Sequence, residues 1–357
     1  MVLKSFAYEA LPMRVRFGSG SVSVLAEEIA HLGLRRVLVV CSPGQVRTGE
    51  LVGAALGELS AGILAEARMH VPLSVANRAR DRAAELGADG CVVVGGGSAI
   101  GLGKAVALEH GLPVVAVPTT YAGSEMTTVW GLTGDGVKRT GKDPRVLPAS
   151  VLYDPDLTVG LPVPVSVTSG INAMAHAVEA LYAPDASPIV SLLAEEGTQE
   201  MVAALPAIVR NPRDVEARTR ALYGAWLCGA CLGATTMSLH HKLCHVLGGT
   251  LDLPHSPTHA VVLPHALAYN QAAAPAAAEA LSRALGEPDP ARALWDLAGR
   301  LEAPRSLADL GMREADIEPI AERVVANPYA NPAPITREGV VRLLRHAWAG
   351  QAPASDC

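Results

Sequence analysis

Six of the eleven histidines fall between His240 and His265, in LHHKLCHVLGGTLDLPHSPTHAVVLPH. A seventh, His176, lies in the apolar stretch SGINAMAHAVEALY. Imidazole changes charge, donor pattern and metal affinity near neutral pH, so such crowding points to a reaction centre. His241 and His245 are one helical turn apart and share a face. Asn172 and His176 do the same on their own helix. A carboxylate at position 172 would favour a divalent metal; the neutral amide offers only a carbonyl oxygen. Three histidines still suffice to hold zinc, so the residues leave metal-bound and metal-free chemistry both open.

A second constellation is built of glycine and hydroxyl residues. Gly95, Gly96, Gly97 and Ser98 follow the strand-like CVVV and precede a helical pattern. Glycines let a backbone approach a pyrophosphate, and the helix N-terminus adds free N–H groups. The spacing differs from the G-x-G-x-x-G dinucleotide fingerprint. Thr119, Thr120 and Ser124, in PTTYAGSEMT, suit ribose or phosphate contacts at the end of the next strand. Ser42 ends the strand RRVLVVC. An aspartate there would repel a 2′-phosphate and a serine does not, so NADH and NADPH both fit. VKRTGKDPR reads as a solvated basic loop, or as a guide for anionic ligands.

The elements that must carry these groups divide in two. Up to about Gly160 strands and helices alternate, which predicts a parallel α/β nucleotide-binding domain over residues 1–160. From 161 to 357 long Ala/Leu-rich helical patterns predict an all-α domain that carries the histidines. PVPVSVTSG reads as a linker, and Ala260–Leu263 as a possible short strand. Cys228 and Cys231 form a C-x-x-C that reads as part of a core helix.

The chain has 357 residues, of which 50% are hydrophobic and 18% charged, with two phenylalanines, so Ala, Val and Leu must fill the core. A net charge of −6 and the lack of a long basic run argue against nucleic acid. No apolar run has the length of a membrane span, and the N-terminus lacks a signal peptide's apolar centre. Scattered cysteines fit reduced thiols in the cytoplasm.

Taken in order, GGGSAIGLGK, PTTYAGSEMT, VWGLT, VKRTGKDPRVLP, GINAMAHAVEA, the histidine-rich segment and ANPYANP resemble the iron-containing alcohol dehydrogenase superfamily. Its fold is shared with dehydroquinate synthase and glycerol dehydrogenase. Within it the wording is most similar to the maleylacetate reductases. The metal-dependent relatives carry Asp-x-x-x-His and two later histidines 14 positions apart; His176, His241 and His255 match, while Asn172 replaces the aspartate. In their GGGS-x-x-D-x-x-K, Gly101 replaces the aspartate and Lys104 remains.

The resemblance therefore implies reduction of the C=C bond of maleylacetate, a small dianionic keto acid, to 3-oxoadipate by NADH or NADPH, without a metal, in a homodimer. The alkene is conjugated to a ketone, so hydride addition at the β carbon puts charge on the ketone oxygen as an enolate. A donor held at that oxygen stabilises it. His241, His255, His245 and His176 are the candidates, with Tyr329 as proton donor and Asn172 beside them. Lys138 resembles a lysine that approaches the nucleotide ribose. The competing reading is a divalent-metal alcohol or polyol dehydrogenase on the same fold. A lyase that recycles NAD and a non-enzymatic nucleotide-binding module rank below it.

Overall fold

The computed structural model describes residues 6–134 and 137–354. The side chains of residues 137 and 138, and with them the expectation for Lys138, lie outside the described residues, as does Cys357. The chain forms two compact units, one from Leu11 to Leu161 and one from Pro162 onward that also takes the residues before Leu11.

The first unit holds strands β1 (Arg14–Phe17), β2 (Val37–Val40), β3 (Ser60–Leu64), β4 (Gly90–Gly95), β5 (Val114–Pro118), β6 (Val129–Gly134), β7 (Val137–Lys142) and β8 (Ser150–Tyr153). Helices α1 (Leu25–His31), α2 (Val46–Leu56), α3 (Leu73–Glu85) and α4 (Gly97–His110) connect the earlier ones. Six strands form a parallel sheet in the order β1-β8-β5-β4-β2-β3, with Val39 opposite Val92 and Val92 opposite Val115. Runs such as VLVV and VVAV are buried on both faces, as a parallel sheet under helices requires. Val37, Val39, Val92, Val94, Val115 and Val117 pack on Leu25, Ile29 and Val52.

From β2 the chain runs outward to β3, and from β4 it runs the other way to β5. The carboxyl ends of β2 and β4 thus flank a topological switch point, where open α/β sheets bind ligands. β6 and β7 form a separate antiparallel hairpin. VKRTGK is therefore a strand rather than a basic loop, paired from Val129–Lys142 to Gly134–Val137.

The second unit is helical among the described residues: α5 (Val163–Leu181), α6 (Pro188–Arg210), α7 (Val215–Ala234), α8 (Leu239–Leu251), α9 (His255–Gln271), α10 (Pro275–Leu285), α11 (Pro290–Arg300), α12 (Ile317–Val325) and α13 (Arg337–Trp348). α5 is buried from Ser166 to Ala180 and packs on α6, α7 and α9. Leu239, Leu243 and Leu247 of α8 meet Val261 and Val262 of α9 and Val340 and Leu344 of α13 in one core. Cys228 and Cys231 are buried free thiols in α7.

Two expectations change here. The stretch read as a linker is the first half of α5: Pro162 caps it and Pro164 sits in the first turn, where no intrahelical N–H is needed. The segment read as a strand, Ala260–Leu263, lies inside α9 despite Pro264. Every residue from Thr258 to Asn270 is buried, so packing on all sides overrides the β-branched pair and the proline. No single helix among the described residues is long and apolar enough to cross a membrane; α7 and α8 pass that test only jointly, across a 94° bend.

Candidate active site: an imidazole cluster and a glycine loop

In the helical unit α5, α8 and α9 converge their histidines. α5 contributes Asn172 and His176, and α8 contributes His241 and His245. The His176 and His241 rings stack with centroids 5.1 Å apart, and His245 lies 6.1 Å from His241. His255, in the first turn of α9, packs on His259 at 4.3 Å, and His259 lies 5.2 Å from His241. His240 joins them, its Nε2 hydrogen-bonded to His259 Nδ1 at 2.9 Å. Asn172, His176 and His241 are buried, whereas His245 and His255 reach solvent. Burial, then the neighbouring His241, His255 and His245, holds His176 well below the usual imidazole range; His240 and His259 are lowered the same way. His176, His240 and His259 are therefore neutral at physiological pH.

One carboxylate organises this group. Glu179, one turn after His176 on α5, accepts His241 Nδ1–H at 2.7 Å. It also accepts the amides of Ser238, at 2.8 Å, and His240, at 2.7 Å, which open α8. An anion at a helix N-terminus satisfies amides that lack intrahelical partners. Sequence reasoning missed Glu179, because nothing marks it until α8 returns to α5. His240 and His259, which were not among the candidate residues, also lie inside the cluster. The pattern H-H-x-x-C-H held a signal, since adjacent histidines on a helix face two neighbours at once. His265, by contrast, packs edge-on against Trp295 at 5.6 Å.

Tyr329 sits half-buried, packed against the core that contains α8, with the Lys242 ammonium 5.8 Å from its ring centroid. Its hydroxyl is buried without a hydrogen-bond partner, and burial, Tyr269 and Glu179 raise its pKa. The loop around it is tied down. Ser238 Oγ faces Ala330 O at 2.6 Å and Asn331 Oδ1 at 2.7 Å. The Asn331 and Asn270 side chains exchange reciprocal amide bonds of 2.9 and 2.7 Å.

The neutral Asn172 gives this donor set less charge for a divalent metal than a carboxylate would. Asn172 Oδ1, His176 Nδ1 and His241 Nε2 are buried and unpartnered, which suits a guest of some kind. Among the described residues, however, the group whose donor atoms gather within 4.8 Å of one another is His240, Cys244 and His259, not His176, His241 and His255. His240 Nε2 and His259 Nδ1 already bond each other, and burial raises the Cys244 thiol pKa. The nearby carboxylate, Glu179, is engaged by three donors.

In the α/β unit the glycine loop lies where β4 passes into α4. Gly95 has φ +141°, and a Cβ there would meet Gln45 Oε1 at 2.5 Å. A Cβ on Gly96 would meet Thr120 Oγ1 at 2.7 Å, whereas one on Gly97 would make only an ordinary contact with Ala122 Cβ at 4.0 Å. The first amides of α4, at Gly97 and Ser98, have no preceding turn to bond. Gln45 Nε2 donates to Thr119 Oγ1 at 2.5 Å, and Thr119 N–H to Gly95 O at 3.2 Å, linking the ends of β2, β4 and β5. Ser42 is half-buried at the end of β2, Thr119 is buried, and Thr120 and Ser124 are half-buried.

Lys104 of α4 anchors the segment from Ser124 to Val129. Its ammonium donates to Ser124 O and Thr127 O, each at 2.7 Å, and to Val129 O at 2.8 Å. Burial lowers it to about 7, and the charge of Glu125 opposes that shift. At Gly101 a Cβ would approach Val71 Cγ2 at 2.8 Å, so an aspartate there requires Val71 to move.

Comparison with known proteins agrees with this architecture. A family model for iron-containing alcohol dehydrogenase matches residues 12–155, and one for the C-terminal part of that family matches 166–348. Maleylacetate reductase from Burkholderia cepacia is 52% identical over 352 residues, covering 99% of this chain and 100% of its own. Maleylacetate reductase from Sphingobium indicum is 53% identical, covering 98% and 99%. The crystal structure of maleylacetate reductase from Agrobacterium tumefaciens superposes with a TM-score of 0.95 at 50% identity, covering 98% of this chain and 100% of that one. The chain belongs to the iron-containing alcohol dehydrogenase family.

Proposed function

We propose that this chain reduces the C=C bond of maleylacetate to 3-oxoadipate with NADH or NADPH and without a metal. The observation that carries the reading is Asn172, a buried neutral amide one helical turn before His176 on α5, in a chain half identical to maleylacetate reductases along its whole length. When bound at the Gly95–Ser98 loop, with Ser42, Thr119, Thr120 and Ser124 around it, the nicotinamide coenzyme supplies the hydride.

The imidazoles then manage the charge that the hydride leaves behind. Glu179 accepts His241 Nδ1–H, so Nε2 is the nitrogen that faces the ketone oxygen, and it donates there when both ring nitrogens carry hydrogen; His255 is the second candidate. One oriented donor at a developing oxyanion contributes about 3 kcal/mol. His245, open to solvent, and Tyr329, with its buried hydroxyl, are the groups that deliver a proton to the α carbon. Lys242 offers a cation on the same helix for one substrate carboxylate. An enone is already electrophilic, so proton donors suffice where an isolated carbonyl needs a Lewis acid.

The test is NADH oxidation with freshly generated maleylacetate, run beside simple alcohols with NAD. Rapid turnover of the enone acid that persists after chelation, in protein free of iron and zinc, is expected. Alcohol oxidation that is lost on chelation and restored by iron or zinc would establish the metal-dependent dehydrogenase instead.

A further inference from the structure

We infer that Glu179 is a positioning residue for the reaction: its carboxylate holds His241 Nδ1–H and turns Nε2 toward the reacting oxygen, to which Nε2 donates when it too carries hydrogen. The inference rests on the proposed role of His241 at the substrate ketone. The geometry leaves little freedom. A carboxylate only accepts hydrogen bonds. Glu179 Oε2 lies 2.7 Å from His241 Nδ1, so that nitrogen must carry hydrogen. Both carboxylate oxygens are also held by main-chain donors, Oε2 by the Ser238 amide and Oε1 by the His240 amide, so the side chain cannot swing away.

The residue on α5 is thereby locked to the first turn of α8, and His241 is locked with it. His241 Nε2 is buried with no protein partner, as a working atom should be. Both ends of the imidazole are thus accounted for: one is given to the protein and one is kept for the ligand. Such carboxylate–imidazole pairs orient working histidines and set which nitrogen acts.

Glutamine at position 179 cannot reproduce this. With its oxygen toward His241, its NH2 faces the His240 amide; with its NH2 toward His241, it faces the Ser238 amide and a nitrogen that must then give up its proton. In either arrangement the charged acceptor at Nδ1 is gone.

The experiment uses full-length protein labelled with 15N-histidine. In the unsubstituted protein the His241 signal is expected to show a protonated Nδ1 with a strongly downfield proton. A proton found on Nε2 alone overturns the inference without any variant. In Glu179→Gln the downfield proton is expected to move upfield or vanish. The kcat for maleylacetate then falls 10- to 100-fold, as for other outer partners of working histidines, with the KM for NADH unchanged. An unaltered His241 signal, with or without a lower melting temperature, means that the carboxylate only caps a helix and sinks the inference. A shifted signal with full kcat retains the positioning by Glu179 but removes His241 from the ketone, which is a failure of the functional reading.

Discussion

A carboxylate at position 172 would place an anion on the turn of α5 that precedes the buried, neutral His176. Two unit charges about 6 Å apart at an effective dielectric of about 20 repel by roughly 3 kcal/mol. Asn172→Asp is therefore expected to raise the KM for maleylacetate by about a hundredfold and to increase retention of iron or zinc. Steady-state kinetics and metal analysis of the same preparation measure both effects. An unchanged KM would separate the missing carboxylate from substrate choice. Asn172 was legible because its spacing to His176 is local. Glu179 was not, since its role depends on where the start of α8 lands.

Among the elements, the passage from β4 into α4 admits the least variation. The missing Cβ of Gly96 is the space into which Thr120 packs. Gly96→Ala is expected to destabilise the α/β unit by about 1–3 kcal/mol through overpacking. It should also raise the KM for NADH while leaving the KM for maleylacetate nearer its original value. Adding Thr120→Ala removes the colliding Oγ1 and Cγ2 atoms, so urea unfolding should recover most of the loss. No recovery would place the cause in the backbone of the loop instead. The sequence pattern located this loop because strand, glycines and helix are contiguous. It misread VKRTGK, where charged residues on a hairpin look like a solvated loop until β6 is seen to pair with it.

At the level of the molecule, acid acts through buried imidazoles. Burial pushes His265 down to about 3, and His176, His240 and His259 shift in the same direction. The unfolded chain binds these protons near the ordinary value of about 6.5 and the folded chain does not. Stability is therefore complete above that pH and is lost as pH falls from there toward about 3. Each such group contributes up to about 1.4 kcal/mol per pH unit within the window. His265→Gln is expected to remove one group's share of that slope between about pH 6 and pH 4, read from urea unfolding at several pH values. An unchanged slope would mean that His265 is already protonated in the folded protein. The split into an α/β part and a helical part was legible from hydrophobic period alone. The gathering of six histidines from three helices was not, because crossing helices leave no trace in local spacing.

The mutual amide clasp of Asn270 and Asn331 has a chemical corollary. Asparagine ages when the main-chain nitrogen after it attacks its side-chain carbonyl and closes a succinimide ring. The residue after Asn331 is Pro332, whose nitrogen has no hydrogen to lose. That half of the fastening beside Tyr329 is thereby closed to the ordinary route of spontaneous deamidation.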